Sequence, residues 1–283
     1  MWKSKVISVK YFMNGSEGTE VIINNTILNG LQNVSFQQSV NETPAVVAGN
    51  EFASSFINGP AVVSASVDKL LTNTDFCTGL VLQTGISGQF IHGSKKMDFH
   101  NLTINGFAVT AEVGQVPNLS FDFSIYGGMS GSNIDQKTPA SGETPVQVIP
   151  QTGIKITYDK DASLPVSAFQ FSETYDYRAV YGLNSSAQTT GVAPVDVKLA
   201  NVIPQEVTIS IDVNDHYEIE KTFELHSVDK NRQRDVKLQL YDTSGNITNQ
   251  FSLFSGHYRG ETITQGVGDT VTANISYGGF KRS

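Results

Sequence analysis

Charge is scarce in this chain. Asp, Glu, Lys and Arg make up 16% of its 283 residues, against about 25% in ordinary soluble domains. Cysteine is nearly absent too: the single thiol, Cys77, excludes a disulfide framework and a thiolate metal cluster. No basic excess exists, since 19 Lys and Arg stand against 27 Asp and Glu for a net charge of -8. That balance argues against a chain that grips nucleic acid through its phosphates. Long apolar runs are also missing. The run that starts Val6-Ile7 is broken by Ser8 and Lys10, short of the roughly 7–15 apolar residues of a signal-peptide core. Nothing approaches the ~18 apolar residues of a membrane helix. No targeting segment is expected, and the chain reads as one made or assembled in a reducing compartment.

What is present is a β-forming sequence. Hydrophobic residues reach 39% and aromatics 10%, with 25 Gly, enough to build a large core rather than a disordered chain. Alternation with period two dominates, as in Phe121-Asp122-Phe123-Ser124-Ile125, Val207-Thr208-Ile209-Ser210-Ile211 and Val236-Lys237-Leu238-Gln239-Leu240. Such strands turn one face to a core and the other to water or a polar partner. The expected class is all-β with little helix. The best helix candidate lies near Lys69-Leu70-Leu71, with Asp68 as N-cap.

The chain divides into similar halves. A polar, Gly- and Pro-rich stretch that begins at Met129 reads as a linker or long loop. The expected organisation is therefore a first β-domain over 1–128 with an N-terminal hairpin, a linker over 129–153 and a second β-domain over 154–283. Phe36-Gln37-Gln38-Ser39 matches Phe169-Gln170-Phe171-Ser172 at a shift of 133. The block from Pro60 to Asp68 matches that from Pro204 to Asp212 at a shift of 144. A third pair ends in Tyr126-Gly127-Gly128 and Tyr277-Gly278-Gly279, with one residue of freedom in register. Three blocks in the same order point to duplication. Pro60 and Pro204 lack a ladder donor and belong at strand starts, and the Gly-Gly endings suit turns with positive φ. Val63, Ala65 and Val67, like Val207, Ile209 and Ile211, share one face. Ser64, Ser66 and Asp68, like Thr208, Ser210 and Asp212, share the other. Residues 6–12 and 21–28 have no clear counterpart in the second half. They form either a hairpin that reaches a neighbouring chain or an added pair of strands on the first domain's own sheet.

No catalytic, cofactor or metal constellation emerges, so no catalytic, cofactor-binding or metal-ligating residue is assigned. His92, His100, His216, His226 and His257 show no zinc-helix spacing. Asp212-Val213-Asn214-Asp215-His216 lacks the glycine and distal glutamate of a calcium loop. Asp159-Lys160-Asp161 reads as a polar turn, and the interrupted basic run from Lys230 to Arg234 as a solvated loop. Gly85-Ile86-Ser87-Gly88 is not a nucleophile elbow. The chain is not expected to be an enzyme.

With its matched blocks, low charge and lack of chemistry, the chain resembles the tail-tube and tube-like baseplate proteins of tailed bacteriophages and related injection systems. The resemblance covers roughly residues 30–128 and 164–279. It implies two tandem β-sandwich or half-barrel domains of tail-tube type. It also implies a homo-oligomeric ring, either a trimer with pseudo-sixfold symmetry or a hexamer, stacked into a tube. Other tail or baseplate proteins are the implied partners, with no membrane. The location implied is the virion tail, assembled in the host cytoplasm. DNA would pass through the lumen during ejection without specific binding. Residues 1–128 hold 6 basic and 9 acidic residues and the remainder 13 and 18, so both halves are mildly acidic, as a non-gripping conduit requires. On this reading Ser64, Ser66, Asp68, Thr208, Ser210 and Asp212 are the lumen-facing candidates. The alternative is a carbohydrate-binding or adhesive β-sandwich of a tail fibre or capsid surface. It wants an exposed aromatic platform, for which Trp2 is a poor candidate and Tyr175, Tyr177 and Tyr181 better ones.

Overall fold

A computed structural model describes residues 5–14, 19–45, 55–71, 79–92, 95–113, 115–133, 141–142, 154–158, 162–164, 166–182, 187–188, 191–213, 233–241, 244–264 and 271–282. Its regular structure is β. The strands, in chain order, are β1 (Lys5–Asn14), β2 (Thr19–Ile23), β3 (Thr26–Ile27), β4 (Leu31–Ala45), β5 (Ser55–Leu70), β6 (Ile86–His92) and β7 (Lys95–Glu112). There follow β8 (Asn118–Tyr126), β9 (Met129–Asn133), β10 (Ser141–Gly142), β11 (Ile154–Tyr158), β12 (Ala162–Leu164), β13 (Ala168–Thr174) and β14 (Tyr177–Val180). The series closes with β15 (Ala187–Gln188), β16 (Gly191–Val192), β17 (Asp196–Leu199), β18 (Val202–Val213), β19 (Arg234–Tyr241), β20 (Ile247–Thr264) and β21 (Val271–Arg282). The expected helix near Lys69 is not formed: Asp68, Lys69 and Leu70 end β5. The local propensity yields there to cross-strand pairing with β4.

The chain forms two compact units whose segments interleave. Unit 1 comprises Met1–Gly106, Ser120–Pro145 and Tyr175–Ala200, and unit 2 comprises Phe107–Leu119, Val146–Thr174 and Asn201–Ser283. The segment expected as a linker contains β9 and β10, and both belong to unit 1.

In unit 1, β4 lies between β1 and β5, antiparallel to both, and β8 pairs with β5. A second set runs β2–β6–β7–β9. The apolar residues of the alternating strands meet between these sets, where Phe36 of β4 stacks on Phe90 of β6. Val34, Val63, Val67, Phe121 and Phe123 are buried beside them. The N-terminal strands are therefore not a free hairpin. β1 docks on β4 and β2 on β6, with Val21 and Ile23 in the core. Pro60 is not a strand start either. It lies within β5, where the register with β4 slips between Val40 and Glu42, a bulge that tolerates the missing donor.

In unit 2, one layer runs β12–β11–β19 and the first part of β20. A second layer runs from the last part of β20 through β21 and β18 to β13, with residues 107–112 of β7 beyond β13. β20 passes from one layer to the other at Ser255, which has a φ of 52° and whose N–H donates to Asp235 Oδ1 at 2.9 Å. A strand that bends between layers is a corner of a sandwich. Phe251 fills the space between, 5.4 Å from Phe171 and 6.4 Å from Phe169 between ring centroids.

The matched blocks occupy matched places. Phe36 lies opposite Ala65, and Phe169, its partner at a shift of 133, lies opposite Ile209, the partner of Ala65 at 144. β8 flanks β5 as β21 flanks β18. Gly127 donates to Ala61 O at 2.9 Å, whereas Gly279 pairs with Gln205, the residue matched to Ala61. That fixes the third shift at 152. Gly127 and Gly128 take positive φ, 93° and 80°, as expected of a turn. Gly278 and Gly279 instead continue β21. The Arg259 side chain lies over Gly278, and Leu253 Cδ1 would stand 2.9 Å from a Cβ at Gly279.

Candidate functional site

The alternation in β5 sets its two faces. Ala61, Val63, Ala65 and Val67 are buried, so Ser64, Ser66 and Asp68 share the opposite, hydrated face. Neighbouring strands extend that face. Ser35 of β4 meets Ser66 at 2.7 Å between hydroxyls, and Asn33 Nδ2 donates to Asp68 Oδ2 at 3.5 Å. Gln37 stands opposite Ser64. On β7, Asn105 Nδ2 donates to Ser124 Oγ of β8 at 2.6 Å. Ser35, Gln37, Ser64, Ser66, Asn105 and Asp122 give the polar lining of an open groove of about 320 Å³.

The groove carries hydroxyls, amides and carboxylate, and among the described residues that line it there is no Lys or Arg. Asp122 has its carboxyl pushed above the usual range, first by burial against the strands and second by the charge of Asp68.

Unit 2 repeats the arrangement on β18. Val207 and Ile209 are buried, and Thr208 and Ser210 lie on the other face, half-buried. Ser210 Oγ donates to Asn274 Oδ1 of β21 at 2.5 Å, and Ser210 O accepts from Ser167 Oγ at 3.1 Å. Arg259 Nη1 reaches Glu206 Oε1 on the same sheet at 3.9 Å. The backbone of Asp212 continues β18, while its side chain lies outside the described residues. Five of the six candidate side chains thus sit on two polar sheet faces, three in unit 1 and two in unit 2. Asp122 and Asn274 were not singled out as candidates. Their signal was the polar half of the alternation around Phe121 and Ala273.

The other chemistry considered in the sequence does not converge. Among the described residues no three His, Cys, Asp or Glu side chains come together. His100 Nδ1 contacts Ser87 Oγ at 3.0 Å, and His257 Nε2 contacts Gln233 Nε2 at 3.0 Å. Cys77, His216, His226 and the segments 159–161 and 214–216 lie outside the described residues. Tyr175 and Tyr177 are buried in unit 1, and Tyr177 OH donates to Val81 O at 2.6 Å. Burial also pushes the Tyr177 phenol upward, with Tyr126 adding to it. Of the three tyrosines considered as a platform, Tyr181 alone is exposed. No family model matches the chain, and no curated protein is significantly similar to it.

Proposed function

We propose that this chain is a structural wall protein. Three copies would close a pseudo-sixfold ring of the kind found in phage tail tubes, with the polar faces of β5 and β18 toward a lumen that conducts DNA. The observation that carries the reading is the shared register of two sheets. Phe36 with Ala65 and Phe169 with Ile209 place Ser64 and Ser66 in unit 1 where Thr208 and Ser210 stand in unit 2. A ring built from such units presents one hydroxyl-rich face repeatedly around its axis. Among the described residues that line the unit 1 groove none is a cation, which suits a duct, because counterion release drives DNA onto basic surfaces. Burial of Tyr175 and Tyr177 removes most of the platform that an adhesive role requires.

Negative-stain electron microscopy with sedimentation of the purified chain tests this. Rings or tubes with a central channel are expected, together with no retention of duplex DNA at physiological salt. A chain that stays monomeric at high concentration and binds glycans overturns it.

A further inference from the structure

In unit 2 the outer edge of β13 is covered by residues 107–112 of β7. In unit 1 the matched edge of β4 is covered by β1. β7 and β20 correspond closely. Each is 18 residues long, and both their first and their last residues stand 152 positions apart. Each carries a buried phenylalanine at its fifth position, Phe99 and Phe251. Their second halves differ in environment. Phe107, Val109 and Ala111 are buried, whereas of the matched residues Arg259 and Ile263 are exposed, Ile263 by 43%, and Glu261 is a half-buried carboxylate. Residues 257–264 pair with β21 along one edge, and among the described residues no strand pairs with the other.

We infer that residues 257–264 are a docking strand for a second copy of this chain, and that the acceptor is the β4 edge which β1 covers in the single chain. The inference rests on the ring reading and names its joint. β1 is then a self-cap, released when a neighbour's β20 takes its place by strand addition.

The register follows from the chain itself. Val113 N donates to Ser167 O at 2.8 Å and Tyr175 N to Asn105 O at 2.6 Å. The two bonds frame an unbroken antiparallel run with Thr110 opposite Gln170. Shifts of 152 and 133 carry that pair to Thr262 opposite Gln37 of the second copy, again a threonine facing a glutamine. Ile263 then comes to Phe36, which removes an exposed apolar side chain from water. In the single chain Lys10 is opposite Gln37, so what faces Gln37 reports which strand occupies the edge.

Two cysteine pairs, each in a Cys77→Ser background, test this. Directly opposed cross-strand residues lie within the Cα range of a disulfide. In assembled protein, oxidised Gln37→Cys/Thr262→Cys is expected to run as covalent dimers and trimers on non-reducing gels. Oxidised Lys10→Cys/Gln37→Cys is expected to stay monomeric, with the assembled fraction reduced at least tenfold and restored by reductant. Rings that form while positions 10 and 37 remain covalently linked overturn the inference and leave the ring reading standing. So do rings in which positions 37 and 262 never cross-link. No assembly by the wild-type chain, nor by a variant lacking residues 1–14, overturns both.

Discussion

Phe36 on β4 stacks on Phe90 on β6, with ring centroids 5.4 Å apart and planes 14° from parallel. Phe90 continues to Phe99 of β7 at 4.9 Å, so three rings tie the two strand sets of unit 1 together. All three are essentially sealed from water. Phe90→Ala removes the central ring and leaves a cavity between its neighbours, at an expected cost of about 3–5 kcal/mol. Urea unfolding of the variant measures it. A cost below about 1 kcal/mol would show that the rings are not a core contact.

Two glycines in strands differ in what lies over them, and their alanine variants should differ accordingly. A Cβ at Gly88 would collide with the main-chain oxygen of Ile22 and with the ring of Phe99, and neither can retreat from a paired strand or a packed core. At Gly278 the obstruction is the side chain of Arg259, which ends half in solvent and can swing away. Gly88→Ala is expected to destabilise by roughly 1–3 kcal/mol through overpacking. Gly278→Ala should stay within about 0.5–1 kcal/mol, the worth of a surface ion pair, while it breaks the contact of Arg259 with Glu206. Thermal unfolding of both variants side by side decides the order.

The strands and their faces were legible because period-two alternation is a local signal. Ser64, Ser66 and Asp68 fell opposite Val63, Ala65 and Val67 as alternation requires. Register was legible in part, since the shifts of 133 and 144 already implied that Phe36 and Phe169 stand in equivalent places. What tertiary pairing decides was not legible. Lys69 carries helix-compatible neighbours, yet its backbone is claimed by β4. Gly278 looks like Gly127 in sequence, but it continues β21 beneath the Arg259 side chain instead of entering a turn. The place of residues 107–112 beside β13 could not be read locally, because β7 shows one continuous pattern through Gly106. For the same reason β1 had no visible counterpart.

Glu173 is buried in unit 2, accepting a hydrogen bond from Gln205 Nε2 at 2.6 Å and lying 3.5 Å from Lys281 Nζ. The matched residues in the first half are Val40, Ala61 and Met129, an apolar set. A buried carboxylate that loses one partner retains its desolvation cost, so Gln205→Ala is expected to destabilise by about 1–3 kcal/mol. Converting the whole set, Glu173→Val with Gln205→Ala and Lys281→Met, removes the charge with its partners and should cost less than the single change. Chemical denaturation of the single and triple variants tests this. A triple variant that costs the most would show that the cluster stabilises the unit.

Asp122 links the groove to pH. Its carboxyl is held above the usual range by burial and then by Asp68, so the folded chain binds its proton more tightly than the unfolded chain does. Stability from this group is then present at low pH and falls as pH rises from the ordinary carboxylate range through the raised one. Asp122→Asn removes that loss. The variant should unfold at a higher temperature than the wild type at pH 7, by about 1–3 °C. The gain stays small because the side chain remains in contact with water, and it should vanish below about pH 4. Asp68→Asn should give a smaller rise in the same direction, since it removes the lesser cause and leaves the burial. Differential scanning calorimetry from about pH 3.5 to 8 reads both variants across the carboxylate range. A difference that does not change with pH, or that favours the wild type at pH 7, would mean that the groove does not raise the proton affinity of Asp122.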